Sequence, residues 1–133
     1  MGKKIYVREY YLDKIRGFYE SDLIKVVTGI RRSGKSCFLL SVMEDLKKRG
    51  VAEKDIIYLN LDKRGYTKIK TTDALEAAIE ECILDGDFKY LFIDEIQNVK
   101  NFEEVVNSFR EDGNFSIFLS AVQAFWHWQH TPK

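Results

Sequence analysis

The sequence predicts an α/β fold, a parallel sheet with helices on both faces in three layers. Three observations predict it. Short apolar, β-branched runs alternate with amphipathic helical repeats along the chain. The first of these runs ends at a glycine-flanked loop that leads straight into a helical repeat. A later run, Tyr90-Leu91-Phe92-Ile93, is apolar throughout, as a strand buried on both faces must be, and it ends in Asp94-Glu95.

Each element has its own signal. Ile24 to Thr28 reads as a buried strand stopped by Gly29. Ser36 to Arg49 places Leu39, Leu40, Val42, Met43 and Leu46 at helical spacing, with Lys47, Lys48 and Arg49 in the last turn and Gly50 at the stop. Asp55 to Leu61 is a second strand. Thr72 or Asp73 caps a helix carrying Leu75, Ala78, Ile79, Cys82 and Ile83, and Asp73 with Glu76 has capping-box spacing. Tyr90 to Ile93 is the third strand. Asn101 with Glu104 opens a helix through Phe102, Val105, Val106 and Phe109, and Ser116 to Leu119 is the fourth strand. Upstream, Tyr10 to Tyr19 suits a short helix weakened by Gly17, and the polar stretch Asp62 to Thr71 is a loop.

At 133 residues the chain has room for one domain of common size. A hydrophobic fraction of 45% with 32% charged residues excludes disordered and low-complexity classes. No apolar run reaches the ~18 residues of a membrane helix, and Met-Gly-Lys-Lys-Ile is no secretory signal, so a cytoplasmic location is expected. Lys+Arg and Asp+Glu both total 21, which disfavours a nucleic-acid partner held by phosphate contacts. The basic stretch Lys63, Arg64, Lys68 and Lys70 is either a solvated loop face or a local patch for such a partner. Cys37 and Cys82 are expected as reduced thiols on apolar helix faces.

Gly29-Ile30-Arg31-Arg32-Ser33-Gly34-Lys35-Ser36 satisfies G-x-x-x-x-G-K-[ST] between a strand and a helix. Glycines at both ends let backbone N–H groups curl around phosphate oxygens, and the helix start adds its dipole and its free N–H groups. The predicted nucleotide-binding set is therefore Gly29, Arg31, Arg32, Ser33, Gly34, Lys35, Ser36 and Cys37. Lys35 would reach the β- and γ-phosphates of ATP, and the Ser36 hydroxyl would ligate Mg²⁺. Arg31 and Arg32 suit the nucleotide, a neighbouring subunit, an acidic partner or plain solvent.

Asp94 and Glu95 follow a buried strand, at the end where open α/β sheets bind ligands. Asp94 is the second predicted metal residue, and Glu95, with Lys35, is predicted to be catalytic by orienting the attacking water. Asn60, ending the second strand, either holds Glu95 away from water or caps its own turn.

These residues carry a resemblance. Gly-Ile-Arg-Arg-Ser-Gly-Lys-Ser (29–36), Tyr-Leu-Phe-Ile-Asp-Glu-Ile-Gln (90–97) and Val-Val-Asn-Ser-Phe-Arg (105–110) resemble prokaryotic AAA-family P-loop ATPases of the AAA+ type, from about Val7 to Leu119. The resemblance implies strand order 5-1-4-3-2 in a P-loop NTPase core, then a lid and a separate C-terminal domain. A small polar sensor residue, commonly within Thr-Gly-Ser, should follow the fourth strand. Here Leu119 is followed by Ser-Ala-Val-Gln-Ala-Phe-Trp-His-Trp-Gln-His-Thr-Pro-Lys, which holds both tryptophans, both histidines and the only proline.

Residues 1–120 are accordingly expected to form a partial core, and 121–133 an atypical tail read from a shifted frame. The alternative is a natural tail whose tryptophans cover the sheet. Without the fifth strand, the arginine finger and the lid of that family, hydrolysis should be slow. The first strand, Ile24 to Thr28, would become a sheet edge open to a second copy or to the tail. The expected activity is Mg²⁺-dependent ATP binding with weak hydrolysis. The alternatives are a silent nucleotide-binding fragment and an interaction module with an inherited phosphate loop.

Overall fold

The computed structural model describes residues 12–29 and 34–122. Among these, four parallel strands form one sheet in the order β1-β4-β3-β2. They are β1 (Lys25–Thr28), β2 (Ile56–Asn60), β3 (Lys89–Asp94) and β4 (Phe115–Ala121). The helices are α1 (Lys35–Lys48), α2 (Thr72–Glu81) and α3 (Phe102–Glu111). The expected α/β architecture is thus present, and each helix connects two parallel strands.

Strand alternation sends side chains to two separate cores. Leu91 and Ile93 of β3, with Ile57, Leu59, Ile117 and Leu119, pack on one face against Leu75 and Ile79 of α2 and Val105, Val106 and Phe109 of α3. Tyr90 and Phe92, with Phe118, pack on the other face against Leu39, Val42, Met43 and Leu46 of α1 and against Leu12 and Tyr19. Every residue of β3 and β4 is buried, the apolar runs Tyr90–Ile93 and Ile117–Leu119 forming the centres of the two central strands. β1 is an edge, paired with β4 and with no other strand among the described residues.

The element ends show where local chemistry overrode the expected boundaries. α1 closes as predicted: Gly50 takes a positive φ of 102°, its N–H reaches the Lys47 carbonyl at 3.0 Å, and the Val51 N–H reaches that of Leu46 at 3.0 Å. This is the double bond of a Schellman stop. The cap of α2 is neither Thr72 nor Asp73. It is Thr71, whose Oγ1 accepts the Ala74 N–H at 3.2 Å, leaving Asp73 in the first turn beside the positive end of the helix dipole. Asn101 does precede α3, as expected, but in a left-handed conformation (φ 60°) with no side-chain cap bond.

Cys37 is a second correction. The buried stripe of α1 runs through Lys35, Leu39, Val42, Met43 and Leu46, and Cys37 projects away from it as an exposed thiol. Cys82 ends α2 half-buried against the core, and burial pushes its thiol pKa up. The segment before β1 holds a short helical turn at 12–15 and a 3₁₀ turn at Arg16–Phe18 in place of one longer helix. Tyr10 and Tyr11 lie outside the described residues.

That segment is fastened to α1 through Asp45, which accepts from Arg16 Nε at 3.0 Å, Tyr19 OH at 2.8 Å and Arg49 Nε at 3.1 Å. Burial pushes the Asp45 pKa up, but these three donors outweigh it and hold the carboxyl at about 2, below its ordinary 3.8. A carboxylate with a depressed folded pKa stabilises the fold above its unfolded value and loses that contribution as pH falls through the folded one. The gap in urea midpoint between wild type and Asp45→Asn should therefore be widest above pH 3.8 and should close as pH falls towards about 2.

At the N-terminal ends of β2 and β3, Asp55 and Asp85 accept from the buried Lys89 ammonium, and Lys54 pairs with Asp55, Asp85 and Asp87. The three carboxylates lie close enough to hold a cation. Two ammonium groups already meet them there.

Candidate functional site

The C-terminal ends of β1, β3 and β4 place the predicted residues on one rim of the sheet. The Val27–Ser120 and Ile93–Leu119 register pairs bring the last residues of the three strands level. Gly34 begins α1 at φ 95°, a conformation that costs glycine little and other residues more. The first intrahelical bond runs from the Phe38 N–H to the Gly34 carbonyl at 3.0 Å. The amides of Lys35, Ser36 and Cys37 are thus the helix-start N–H groups that an α-helix cannot satisfy internally. Arg31, Arg32 and Ser33 lie outside the described residues.

Lys35 is buried and reaches back across the helix start. Its Nζ donates to the Gly29 carbonyl at 3.2 Å and lies 3.5 Å from Glu95 Oε2. Asp94 is fully buried, as a carboxylate can be only with several donors. Its Oδ2 accepts from the Ser36 hydroxyl and, at 2.9 Å, from Tyr58 OH, while Oδ1 accepts from Ser120. Ser120 Oγ also accepts the Glu95 N–H at 2.8 Å, so one hydroxyl joins the two acidic residues. Burial first, then the Asp94 charge, pushes the Tyr58 phenol pKa up and keeps it a donor.

Glu95 takes a left-handed conformation, φ 60° and ψ 52°. For a non-glycine residue this costs of order 1–3 kcal/mol and is found where surrounding contacts enforce it. Here Ser120 holds its N–H, Lys35 meets one carboxylate oxygen, and Gln97 Nε2 donates to the other at 2.7 Å.

The structure thus brings together Gly29, Gly34, Lys35, Ser36, Asp94 and Glu95. Asn60 is not part of the Glu95 set: its Oδ1 accepts the Asp62 N–H at 3.0 Å, capping its own turn. The basic residues Lys63, Arg64, Lys68 and Lys70 are all exposed on the loop after β2. Tyr58, Gln97 and Ser120 were missed. Tyr58 shares a strand face with Asn60 two residues on, and Ser120 is a hydroxyl directly after the apolar run Ile117-Phe118-Leu119, so both had a positional signal.

The donor set fits Mg²⁺. Ser36 and Asp94 present hard oxygen atoms in mutual contact at the helix start, the chemistry a small dication selects. The helix-start amides of α1 and the adjacent Lys35 ammonium fit a phosphate in the same place.

A family model described as an AAA domain matches residues 21–127. The chain belongs to the AAA domain family. With it comes an ATPase-like, nucleotide-binding fold, in agreement with the parallel sheet above. An uncharacterized protein of Haemophilus influenzae is 35% identical over 125 residues, which is 93% of this chain and 31% of that protein. An uncharacterized protein of Methanocaldococcus jannaschii is 33% identical over 97 residues, 73% of this chain and 20% of that protein. This AAA domain therefore spans a third or less of the length of the curated relatives it matches. No helix among its described residues is long and apolar enough to cross a membrane.

Proposed function

We propose that this AAA domain binds ATP and ADP with Mg²⁺ and hydrolyses ATP slowly. The observation that carries the proposal is the convergence of Lys35, Ser36, Asp94 and Glu95 at one strand end, with Lys35 3.5 Å from Glu95 and Ser36 bonded to Asp94. Lys35 trades its contacts with Gly29 and Glu95 for phosphate oxygens. Ser36, whose O–H donates to Asp94, would offer an oxygen lone pair to the metal, and Asp94, still held by Tyr58 and Ser120, keeps its orientation. Bound Mg²⁺ supplies neutralisation of charge on the phosphate oxygens. Glu95, released from Lys35, accepts a hydrogen bond from the attacking water and orients it.

In the longer relatives such turnover would drive motion of the adjoining domains. Association with a second copy through the β1 edge, Ile24 to Thr28, belongs to the same proposal. One observation favours a silent nucleotide-binding reading: Lys35 and Gln97 engage both carboxylate oxygens of Glu95.

A thermal melt tests binding. Ligand at ~100 times its Kd adds ~2.7 kcal/mol to the folded state, a rise on the order of 8–16 °C for a domain of this size. Mg·ADP should raise the melting temperature by that amount in wild type and leave Lys35→Ala unmoved. A cooperative wild-type melt indifferent to Mg·ADP would remove the proposal.

A further inference from the structure

We infer that Gln97 is a positioning residue for Glu95, and that it ties the aim of that carboxylate to the backbone leaving β4. The inference rests on the hydrolytic reading of Glu95 for its catalytic consequence but not for its geometry. Gln97 lies in the 3₁₀ turn Ile96–Asn98 directly after Glu95, and its amide bridges two elements. Nε2 donates to Glu95 Oε1 at 2.7 Å, and Oε1 of the same amide accepts the Val122 N–H at 3.3 Å.

This bridge fixes its own orientation. A backbone N–H can only donate, so the amide end facing Val122 must be the oxygen, and the end facing Glu95 must be the NH₂. No flipped amide satisfies both neighbours. The turn itself is secured by other groups: the Asn98 N–H bonds the Glu95 carbonyl at 3.1 Å, and Asn98 Nδ2 reaches Asp62 Oδ1 at 2.8 Å. Gln97 is therefore not needed to close the turn, and its side chain points back to the site.

The left-handed backbone of Glu95 gives the bridge its purpose. Among the described residues, the other side chain against this carboxylate is Lys35, and it touches the second oxygen. A phosphate that draws Lys35 away leaves Gln97 as the group that still holds the carboxylate. Because the Gln97 oxygen is seated on the Val122 N–H, a shift of the chain following β4 moves the amide and re-aims Glu95.

The test pairs two substitutions. Gln97→Glu keeps the length and the acceptor for Val122 but replaces the donor with a carboxylate. Gln97→Met keeps the volume and removes both bonds. Without nucleotide, the Gln97 side-chain amide protons should resonate downfield of free amides in wild type and return to the free position in Glu95→Ala. The Val122 amide should exchange at least about tenfold faster in Gln97→Met than in wild type or Gln97→Glu. With Mg·ATP, both Gln97 variants should lose about tenfold or more in kcat with KM within about twofold.

Free-amide shifts in wild type that ignore Glu95→Ala would overturn the inference whatever the enzyme does. So would variants with unchanged kcat in a protein that Glu95→Gln inactivates. Bridging shifts and protected Val122 in a protein with no wild-type turnover would leave the geometry standing and overturn the hydrolytic reading alone.

Discussion

Glu95→Gln should lower ATP turnover by at least ~100-fold, the smaller end of what a positioned general base contributes, while Mg·ADP still raises the melting temperature. The separation follows from where the two functions sit. Phosphate and metal contacts are assigned to the start of α1 and to Asp94, none of which needs the Glu95 charge. Glutamine preserves the volume and can still accept from Gln97, but it no longer pairs with Lys35, 3.5 Å away in wild type. Freed from that ion pair, Lys35 is more available to phosphate, so nucleotide affinity should be equal or higher in the variant. Because basal hydrolysis is expected to be slow, single-turnover conditions with enzyme in excess are the suitable assay, alongside calorimetric ADP titration. Turnover within about threefold of wild type would assign Glu95 to structure and favour the silent nucleotide-binding reading.

How far the sequence disclosed this site depends on the range of each signal. The strand and helix order was legible because hydrophobic periodicity is set by burial on one face or two, and the burial is realised at most of the periodic positions, with Leu40 of α1 an exposed exception. The motif residues Gly34, Lys35, Ser36, Asp94 and Glu95 were legible because phosphate and metal chemistry restricts residue type at fixed spacing. Misses occur where a choice among near-equivalent neighbours is made by tertiary contacts. Thr71 and Thr72 offer the same hydroxyl to α2, and only the turn of the chain from the preceding loop decides between them. Cys37 falls inside the apolar-looking window of α1, yet its angular position relative to Leu39 and Val42 turns it outward. Tyr58 and Ser120 act through bonds spanning 25–36 residues to partners on other elements, and Gln97, beside Glu95, is bridged to Val122 across 25 residues. No local pattern encodes such a pairing. Asn60 illustrates the converse: a polar residue at the right strand end, claimed by its own turn because that partner is only two residues away.

Phe118→Ala should have the largest effect on stability. Phe118 is fully buried in β4, stacked on Phe92 of β3 with ring centroids 4.6 Å apart and planes 8° from parallel. Tyr19 meets it edge-on at 6.2 Å, and the Lys25 ammonium lies 4.5 Å from its ring centroid. Truncating such a side chain costs ~3–5 kcal/mol, a large fraction of the ~7–20 kcal/mol that ~0.05–0.15 kcal/mol per residue implies for this length. The urea midpoint should fall by about 2 M, taking a slope within the usual ~1–3 kcal/mol/M. The stack also has a functional address. Phe92 and Phe118 occupy the same strand face as Asp94 and Ser120, two residues on in each strand, so the rings underlie the Ser120–Asp94 hydrogen bond. Under conditions where the variant remains folded, it should need several-fold more Mg²⁺ to reach half of its nucleotide-induced stabilisation. Ile117→Ala is the control, since that side chain lies on the opposite face in the α2–α3 core. It should destabilise the fold by a comparable ~2–5 kcal/mol and leave the Mg²⁺ requirement unchanged. Equal Mg²⁺ requirements in the two variants would mean that the strand ends hold Asp94 without help from the aromatic stack.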